Sequence, residues 1–388
     1  MKRVAIITPY VPPNIINLYK LLSNKITDNS IQIKIFCVKK IPLHRQHEIP
    51  DYSELNINFF DGLNFYLPKS EIAIDFPKGM SKSLKDFNPN IVIYDGYGIG
   101  FISPILFGIR KKFFKNNIKL IFWNSNTSLN SGPIQSSVKK EKIFLSFFIK
   151  KIKIILMKVF DTFAAGGESM FDYLIDLKVN ENNITLIPRA TFTEQDINNF
   201  NVGFTDRDHS RIKFIYCGEI SKRKGVDIIL DAVSSNTSDF NKNIDIELYG
   251  NFKSSEESFF KDKISKISQI KYKGWLEPEL LIPNIQNSDI LLIPSRREPF
   301  GRIAIEGLAC GAFLIMGNSV GSSKDLNHNF LSKIFFDNNP EELYRAMKSS
   351  ILDIDNIRSM RKRRTEWVLN NWTHDVSAQG LLEMIKKD

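Results

Sequence analysis

Two glutamates, Glu298 and Glu306, are the residues whose types and spacing point most directly to chemistry. They lie in LLIPSRREPFGRIAIEGLACG, Leu291–Gly311, where a buried-strand pattern leads through a polar loop into a helix that we predict to begin near Gly301. Backbone N–H groups at a helix start bind phosphate or sugar oxygens, and a glycine there lets a ligand approach closely. Inside the helix, Glu306 can accept hydrogen bonds from vicinal hydroxyls, as an acidic residue does for a ribose. The alternative for Glu306 is an ordinary i,i+4 surface pair with Arg302.

A second candidate site lies in FIYCGEISKRKGVDIILDAV, Phe214–Val233, which we predict to be a strand, a glycine turn, a basic loop and a helix. The loop is bracketed by two glycines and holds three consecutive cations: Gly218, Lys222, Arg223, Lys224 and Gly225. A lysine at a helix start is well placed to bind phosphate. We therefore predict this role for Lys224, whereas a solvated loop surface is the competing interpretation for Lys222 and Arg223.

These motifs belong to a chain in which short β-branched runs alternate with longer helical segments, a pattern typical of parallel sheets with crossover helices. The sequence predicts an α/β protein with two doubly wound, Rossmann-like domains at 1–195 and 205–370, joined by a polar linker at 192–210. We expect a C-terminal helix within 371–388 to pack back on the first domain. Because ligands of such sheets bind outside the carboxyl ends of the strands, the active site is expected in a cleft between the domains.

The stretch around the two glutamates resembles the E-x7-E signature of family 4 glycosyltransferases, which are retaining enzymes of the GT-B fold. The matching positions are Pro294, Ser295, Glu298, Phe300, Gly301, Glu306, Gly307, Ala309 and Gly311. The resemblance implies that Glu298 contacts the donor sugar and that the backbone after it, over Phe300–Arg302, holds sugar hydroxyls. It also implies that Glu306 binds the nucleotide ribose.

The basic loop is similar to the family's G-R-L-x-x-x-K-G element, with Gly218 at the first glycine and Lys224 at the lysine that grips the donor diphosphate. Glu219 stands where the family has an arginine, which removes one expected phosphate contact. The missing charge is expected from Arg223, Lys222 or the pair Arg296–Arg297. Trp275 falls in the segment where the family contacts the base, and it either stacks on the base or is a half-buried core residue.

The resemblance is thin in the N-terminal half. Asn124 ends a strand at the place where many family members carry a histidine near the reacting sugar, and no histidine is present here. Asp95 ends another predicted strand on the side of the expected cleft. We expect Asp95 and Asn124 to contact a substrate, and the identity of the acceptor stays open.

Composition limits the classes of protein. The chain has 388 residues, of which 43% are hydrophobic and 25% charged, values that exclude wholesale disorder and a polytopic membrane protein. A net charge of +10 fits phosphate-bearing ligands, an anionic membrane surface or nucleic acid, and it fits ordinary surface charge equally well. The cysteines Cys37, Cys217 and Cys310 form no motif, which favours buried thiols in a reducing cytosol.

We predict no metal site and no cofactor besides the nucleotide-sugar donor. His44 and His47 form an H-x-x-H string without accompanying carboxylates. Asp353 and Asp355 form a D-x-D string, but it follows a predicted surface helix rather than a buried strand. GT-B enzymes generally need no such motif, so the resemblance implies a metal-independent reaction.

The segment Lys139–Phe160 mixes large apolar residues with lysines. Such a segment can be a basic amphipathic helix that lies on anionic lipid, or an interdomain helix with a buried apolar side and solvated lysines. The sequence leaves both interpretations open.

The resemblance implies a retaining hexosyltransferase that uses a UDP- or GDP-linked sugar. Its acceptor would be a glycan, glycolipid or protein in surface glycan synthesis, such as lipopolysaccharide, capsule or glycoprotein. We expect a cytoplasmic protein, with peripheral contact to the inner face of the membrane through 139–160, and no nucleic acid partner. The alternatives are a nucleotide-sugar epimerase of related fold and a non-catalytic polyanion-binding protein.

Overall fold

The structure is a computed structural model that describes residues 1–26, 30–38, 51–60, 62–66, 73–95, 118–124, 150–200, 210–240, 243–336 and 339–387. The chain divides into two compact units. Unit 1 consists of Met1–Thr193 together with His374–Asp388, and unit 2 is Glu194–Thr373. The last segment of the chain therefore completes the first unit.

The described residues contain fifteen strands. In chain order they are β1 (Lys2–Thr8), β2 (Ile31–Cys37), β3 (Ile57–Phe59), β4 (Gly62–Tyr66), β5 (Ala73–Pro77), β6 (Ile91–Asp95), β7 (Lys119–Asn124), β8 (Thr162–Ala165), β9 (Ile184–Leu186), β10 (Ile212–Cys217), β11 (Ile244–Tyr249), β12 (Ile270–Gly274), β13 (Ile290–Ile293), β14 (Phe313–Gly317) and β15 (Ser332–Phe335).

The α-helices of the described residues lie mostly between these strands. In chain order they are α1 (Pro13–Asn24), α2 (Met80–Phe87), α3 (150–157), α4 (Glu168–Asp176), α5 (Glu194–Phe200), α6 (Val226–Ser234), α7 (Glu257–Ser265), α8 (Pro278–Gln286), α9 (Arg302–Ala309), α10 (Pro340–Leu352), α11 (Ile354–Ser359), α12 (Arg361–Asn371) and α13 (His374–Lys386). None of these helices is long and apolar enough to cross a membrane.

Unit 1 is built on a parallel sheet with the strand order β3-β2-β1-β6-β7-β8-β9, and β4 and β5 form a separate antiparallel pair. Its central strands read as continuous apolar runs because both faces of the sheet are covered. One face packs against α1 and α13, and the other packs against α2, α3 and α4. The helix of the last segment thus fills one side of the first core.

Unit 2 is built on a second parallel sheet with the strand order β12-β11-β10-β13-β14-β15. Helices α6, α7 and α10 bury their apolar sides in the core on one face of this sheet. On α12, the fully buried Arg364 donates hydrogen bonds to the backbone carbonyls of Gly311, Phe330 and Ile357. These bonds attach α12 to the turn after α9 and to the end of α11.

Each sheet has one point where the chain order reverses. In unit 1 it lies between β1 and β6, and in unit 2 it lies between β10 and β13. The loops that leave such neighbouring strands diverge to opposite faces and open a crevice at the carboxyl edge of the sheet, where ligands of open α/β sheets bind. The fold therefore places the loop after β10 beside the loop after β13.

The predicted fold class is confirmed: both sheets are parallel and doubly wound. The sequence analysis missed β3, β4, β5 and β15, which are short strands or edge strands. It also placed α5 inside the linker at 192–210. Near the end of unit 2, α11 and α12 meet at Met360. Beside this junction, the Arg364 guanidinium donates a hydrogen bond to the Ile357 carbonyl of α11.

Candidate functional site

The two loops at the switch point of unit 2 are fastened to each other. Arg296 donates its backbone N–H to the Arg223 carbonyl at 3.0 Å and a guanidinium N–H to the Lys222 carbonyl at 2.6 Å. The same guanidinium makes a bidentate contact with Asp227, in the first turn of α6, at 2.6 and 2.8 Å. Arg296, one of the cations expected to help bind phosphate, is thus engaged in holding the loops together.

Gly225 makes this close approach possible. It caps the start of α6 with φ of +76°, in the left-handed region that favours glycine. A Cβ at this position would lie 1.8 Å from the carbonyl oxygen of Pro294, which is backbone and cannot rotate aside. The glycine therefore brings the lysine before it against the loop that carries Glu298.

The two residues predicted to be catalytic meet across these loops. The Lys224 Nζ donates to the Glu298 Oε2, although the two residues are 74 positions apart in sequence. Their side chains are only 22% and 15% exposed. The crevice therefore holds an ammonium and a carboxylate in direct contact, next to the backbone at the start of α6.

The Glu298 loop is supported by the loop that follows β14. Gly321 donates its N–H to the Glu298 carbonyl and Ser322 donates to the Phe300 carbonyl, each at 2.9 Å. Gly301, with φ of +88°, begins α9, and a Cβ there would lie 2.7 Å from Val320 Cγ1. The Ser322 hydroxyl is fully buried and has no hydrogen-bond partner among the described residues. The start of α9 is thus held by backbone contacts and has a polar hydroxyl beside it.

Phe300 does not project freely into solvent. Its ring packs against the Trp372 ring with 5.2 Å between the centroids. This contact joins the Glu298 loop to the end of α12. The side chain therefore anchors the loop whose backbone the resemblance assigns to sugar hydroxyls.

Glu306 lies on the second turn of α9 and its side chain is 15% exposed. The Arg302 Nε donates to Glu306 Oε1 at 2.9 Å, so the i,i+4 contact considered from the sequence is present. Burial raises the pKa of the Cys217 and Cys310 thiols, that of Cys310 to about 12, and the charge of Glu306 raises both further. Since Cys217 ends β10, the Glu306 carboxylate lies close to the switch point rather than on an outer surface.

The remaining predicted residues of unit 2 lie in more open positions. Glu219, which follows Gly218 at the end of β10, is 3.7 Å from Arg223, and both side chains are more than two-fifths exposed. Arg297 is exposed in the loop after β13. Trp275 follows the end of β12 and is 52% exposed, so it is not a core residue. The cation of Arg223 is therefore partly balanced by a carboxylate that the family pattern lacks.

Asp95 and Asn124 lie in unit 1, at the ends of β6 and β7. Asp95 is fully buried, accepts a bidentate contact from Arg189 and accepts a hydrogen bond from the Tyr19 hydroxyl. The Arg189 guanidinium lies over the Trp123 ring, 5.1 Å from its centroid. Burial, followed by the Asp95 charge, raises the pKa of the Tyr19 hydroxyl. Asp95 thus holds Arg189 at the carboxyl edge of the sheet. Asn124 is buried at the end of the adjacent strand β7, one position beyond Trp123, which pairs with Asp95.

Sequence reasoning missed the residues that hold these groups in place, above all Asp227 and Arg189. Asp227 could have been noticed as an acidic residue in the first turn of a helix that follows a basic loop. Arg189 follows a short strand by three positions, at the edge of the sheet where ligands bind. Neither signal is specific without knowledge of which strands are neighbours.

Within the described part of the chain, no group of three or more metal-ligating side chains occurs. Asp353 occupies the N-cap position of α11, and its carboxylate accepts a hydrogen bond from the Asn356 side-chain amide at 3.2 Å. Asp355 lies in the first turn of that helix. His44 and His47 lie outside the described residues, as do Lys139–Ile149 of the basic segment. The rest of that segment contains α3 and the turn after it. Met157 and Phe160 are buried there, while Ile152 and Ile155 are 42% and 64% exposed.

Residues 200–367, all within unit 2, match the family model described as Glycosyl transferases group 1. Among curated proteins, the chain is similar to an uncharacterized glycosyltransferase of Methanocaldococcus jannaschii, with 29% identity over 38% of this chain and 39% of that protein. It is also similar to an uncharacterized 41.2 kDa protein in the cps region of Klebsiella pneumoniae, with 25% identity over 61% of this chain and 62% of the relative. Both matches span less than two thirds of the relatives' own length.

Solved structures align over the whole chain. A glycosyltransferase from Rickettsia africae aligns with a TM-score of 0.67 at 17% identity, covering 100% of this chain and 98% of that one. The fold is GT-B. Anabaena HepE in complex with UDP also aligns with a TM-score of 0.67, at 12% identity and over 100% of both chains. The TM-scores establish the GT-B fold, whereas sequence identities this low do not transfer an activity.

Proposed function

We propose that the protein is a retaining glycosyltransferase of family 4 type that transfers a hexosyl group from a UDP- or GDP-sugar to an acceptor hydroxyl. The observation that carries the proposal is the meeting of Lys224 and Glu298 at the switch point of unit 2. That point lies inside the region matched by the Glycosyl transferases group 1 model. The related GT-B structure of HepE, which contains UDP, supports a nucleotide ligand for this fold.

In the proposed mechanism, the donor diphosphate lies against Lys224 and the N–H groups at the start of α6. These groups stabilise the charge that develops on the leaving diphosphate, and such stabilisation is usually the largest single contribution to catalysis. Glu306 accepts hydrogen bonds from the ribose hydroxyls after Arg302 turns aside, which costs little because Arg302 is more than half exposed. Trp275 is exposed and can stack on the base.

Glu298 holds the hydroxyls of the transferred sugar and supports positive charge at its anomeric carbon. The acceptor oxygen attacks that carbon from the side that the diphosphate leaves, so the new bond has the configuration of the old one. The acceptor proton passes to the departing phosphate oxygen. The protein's own cations balance the leaving group, and we therefore propose a metal-independent reaction.

We further propose that the acceptor belongs to surface polysaccharide synthesis and that the protein works in the cytoplasm at the membrane. The similarity to a protein from the cps region of Klebsiella pneumoniae supports the first statement. The exposed side of α3 supports the second, because it places Ile152 and Ile155 beside Lys151 and Lys158. Exposed apolar side chains with neighbouring lysines fit an anionic lipid surface.

A ligand panel tests the proposed function. The melting temperature of the purified protein is measured with UDP, GDP, UMP, GMP and an RNA oligomer, since a ligand that binds the folded state raises it. We expect UDP or GDP to raise the melting temperature and the RNA to leave it unchanged. Hydrolysis of a panel of UDP- and GDP-sugars then identifies the donor. Stabilisation by RNA alone, with no response to any nucleotide, would contradict the proposal and favour a polyanion-binding protein.

A further inference from the structure

The contact between Lys224 and Glu298 has a consequence for which ligand the site prefers. We propose that Glu298 is a specificity-determining residue whose carboxylate disfavours a bare nucleoside diphosphate and favours a nucleotide that still carries its sugar. This inference rests on the proposed function, because it takes the diphosphate to lie at Lys224 and the sugar at Glu298.

The carboxylate depends on one cation. Within the part of the chain that the structure describes, the Lys224 ammonium is the only side-chain partner of the Glu298 carboxylate. The Glu298 side chain is 15% exposed, so water replaces a lost partner only in part. Breaking a partly buried ion pair by removing one partner is costly because the other charge is left uncompensated.

A diphosphate can bind at Lys224 in two arrangements, and both leave the Glu298 carboxylate in a less favourable electrostatic environment. If the ammonium turns fully to the phosphate, the carboxylate loses its partner. If the ammonium uses its three N–H donors to contact both groups, the carboxylate and the phosphate oxygens become neighbours of like charge. In either arrangement, the negative charge of Glu298 opposes the binding of the bare diphosphate.

A sugar on the diphosphate reverses this effect. Its hydroxyl groups donate hydrogen bonds to the carboxylate and replace what the ammonium withdraws. The diphosphate and the sugar therefore bind cooperatively, with Glu298 as the residue that couples them. After transfer the sugar is gone, the charge of Glu298 is uncompensated again, and release of the nucleoside diphosphate is favoured.

The test compares three ligands in the variant Glu298→Gln, which keeps the size of the side chain and removes its charge. Affinities for UDP, UMP and UDP-glucose, or for the GDP series where wild-type protein prefers it, are measured by isothermal titration. We expect UDP to bind about tenfold more tightly, which corresponds to about 1.4 kcal/mol. We expect the nucleotide sugar to bind about tenfold more weakly and UMP to be unchanged. A purely structural role of Glu298 would move all three affinities in the same direction.

Glu219→Gln is the matched control, because it removes one carboxylate from the same pair of loops. Glu219 is exposed and faces Arg223 rather than Lys224. We expect it to change the affinities for UDP and for the nucleotide sugar by equal factors. Weaker UDP binding in Glu298→Gln, or the same reversal in Glu219→Gln, would overturn the inference while leaving the proposed function intact. Wild-type protein that binds no nucleoside diphosphate would remove the proposed function and this inference together.

Discussion

Gly225→Ala tests whether the close approach of the two loops creates the site. The alanine must adopt φ near +76°, and its Cβ would lie 1.8 Å from the Pro294 carbonyl oxygen. The matched control is Gly274→Ala in the same unit, where φ is +79° and no atom lies within 4 Å of the added Cβ. The two substitutions impose the same backbone strain, and only the first pushes one loop away from the other.

The magnitudes follow from these two environments. A non-glycine residue in the left-handed region costs about 1–2 kcal/mol, which is the whole expected effect at Gly274. At Gly225 the overlap with rigid backbone adds about 1–3 kcal/mol, as in other overpacked positions. For a unit the size of Glu194–Thr373, each kcal/mol lowers the melting temperature by about 2–4 °C. We therefore expect a drop of a few degrees in Gly274→Ala and roughly twice that in Gly225→Ala.

Tryptophan fluorescence during heating reports on the relevant unit, because Trp275, Trp367 and Trp372 lie in unit 2 and only Trp123 lies in unit 1. A titration with UDP or GDP supplies the second measurement. Gly225→Ala should lose at least tenfold in affinity, because it moves Lys224 and the N–H groups at the start of α6 out of the position in which they would bind the diphosphate. Equal melting temperatures in the two variants, together with full nucleotide affinity in Gly225→Ala, would refute the argument that this glycine assembles the site.

Two further predictions concern nucleotide binding, one concerns the metal requirement, and one concerns the membrane. Glu306→Ala should weaken the binding of both UDP and UMP by about 1.5–3 kcal/mol, because the ribose hydroxyls lose their acceptor. Unchanged affinities in isothermal titration would exclude a ribose contact. Lys224→Ala should weaken the binding of UDP more than that of UMP, because only the diphosphate reaches the Lys224 ammonium. Equal losses of affinity for the two nucleotides would argue against that contact. Transfer should persist in EDTA, and an absolute need for manganese or magnesium would contradict the proposed charge balance. Replacing Lys151 and Lys158 by Gln, or Ile155 by Ser, should release protein from anionic vesicles without lowering the melting temperature, and unchanged vesicle binding would end the membrane proposal.

Most strands that the sequence predicts correctly lie inside their sheets, although the edge strands β9 and β12 are predicted as well. β13 is apolar throughout, and β1 and β6 each carry four consecutive apolar residues, because helices cover both sides of the sheet. β11 is buried along its whole length, although its apolar residues alternate with Asp245 and Glu247. β15 contains a serine and a lysine, and β3 is three residues long, and both lie at the edge of their sheet. An edge strand needs fewer apolar residues, so its pattern does not differ enough from that of a loop.

The candidate site shows a similar division between local and long-range information. Spacing alone identifies Glu298, Glu306 and Lys224 as candidates, because each has a local context of strand, loop and helix start. The contact between Lys224 and Glu298 depends on β10 and β13 being neighbours, and two other strands of the sheet separate them in the chain. Asp95 illustrates the same point, since its partner Arg189 is 94 positions away and nothing in the local sequence indicates that its carboxylate is covered.

The charges of the two loops argue against the view that this surface is a general polyanion site. Although the chain has a net charge of +10, most cations at the switch point have a carboxylate within 4 Å. These pairs are Lys224 with Glu298, Arg223 with Glu219, Arg296 with Asp227 and Arg302 with Glu306. A nucleic-acid surface typically presents a stripe of cations to the phosphate backbone, and interspersed carboxylates would weaken it. Paired charges instead suit a small ligand whose own groups replace each partner in turn, with phosphate oxygens for the cations and sugar or ribose hydroxyls for the carboxylates.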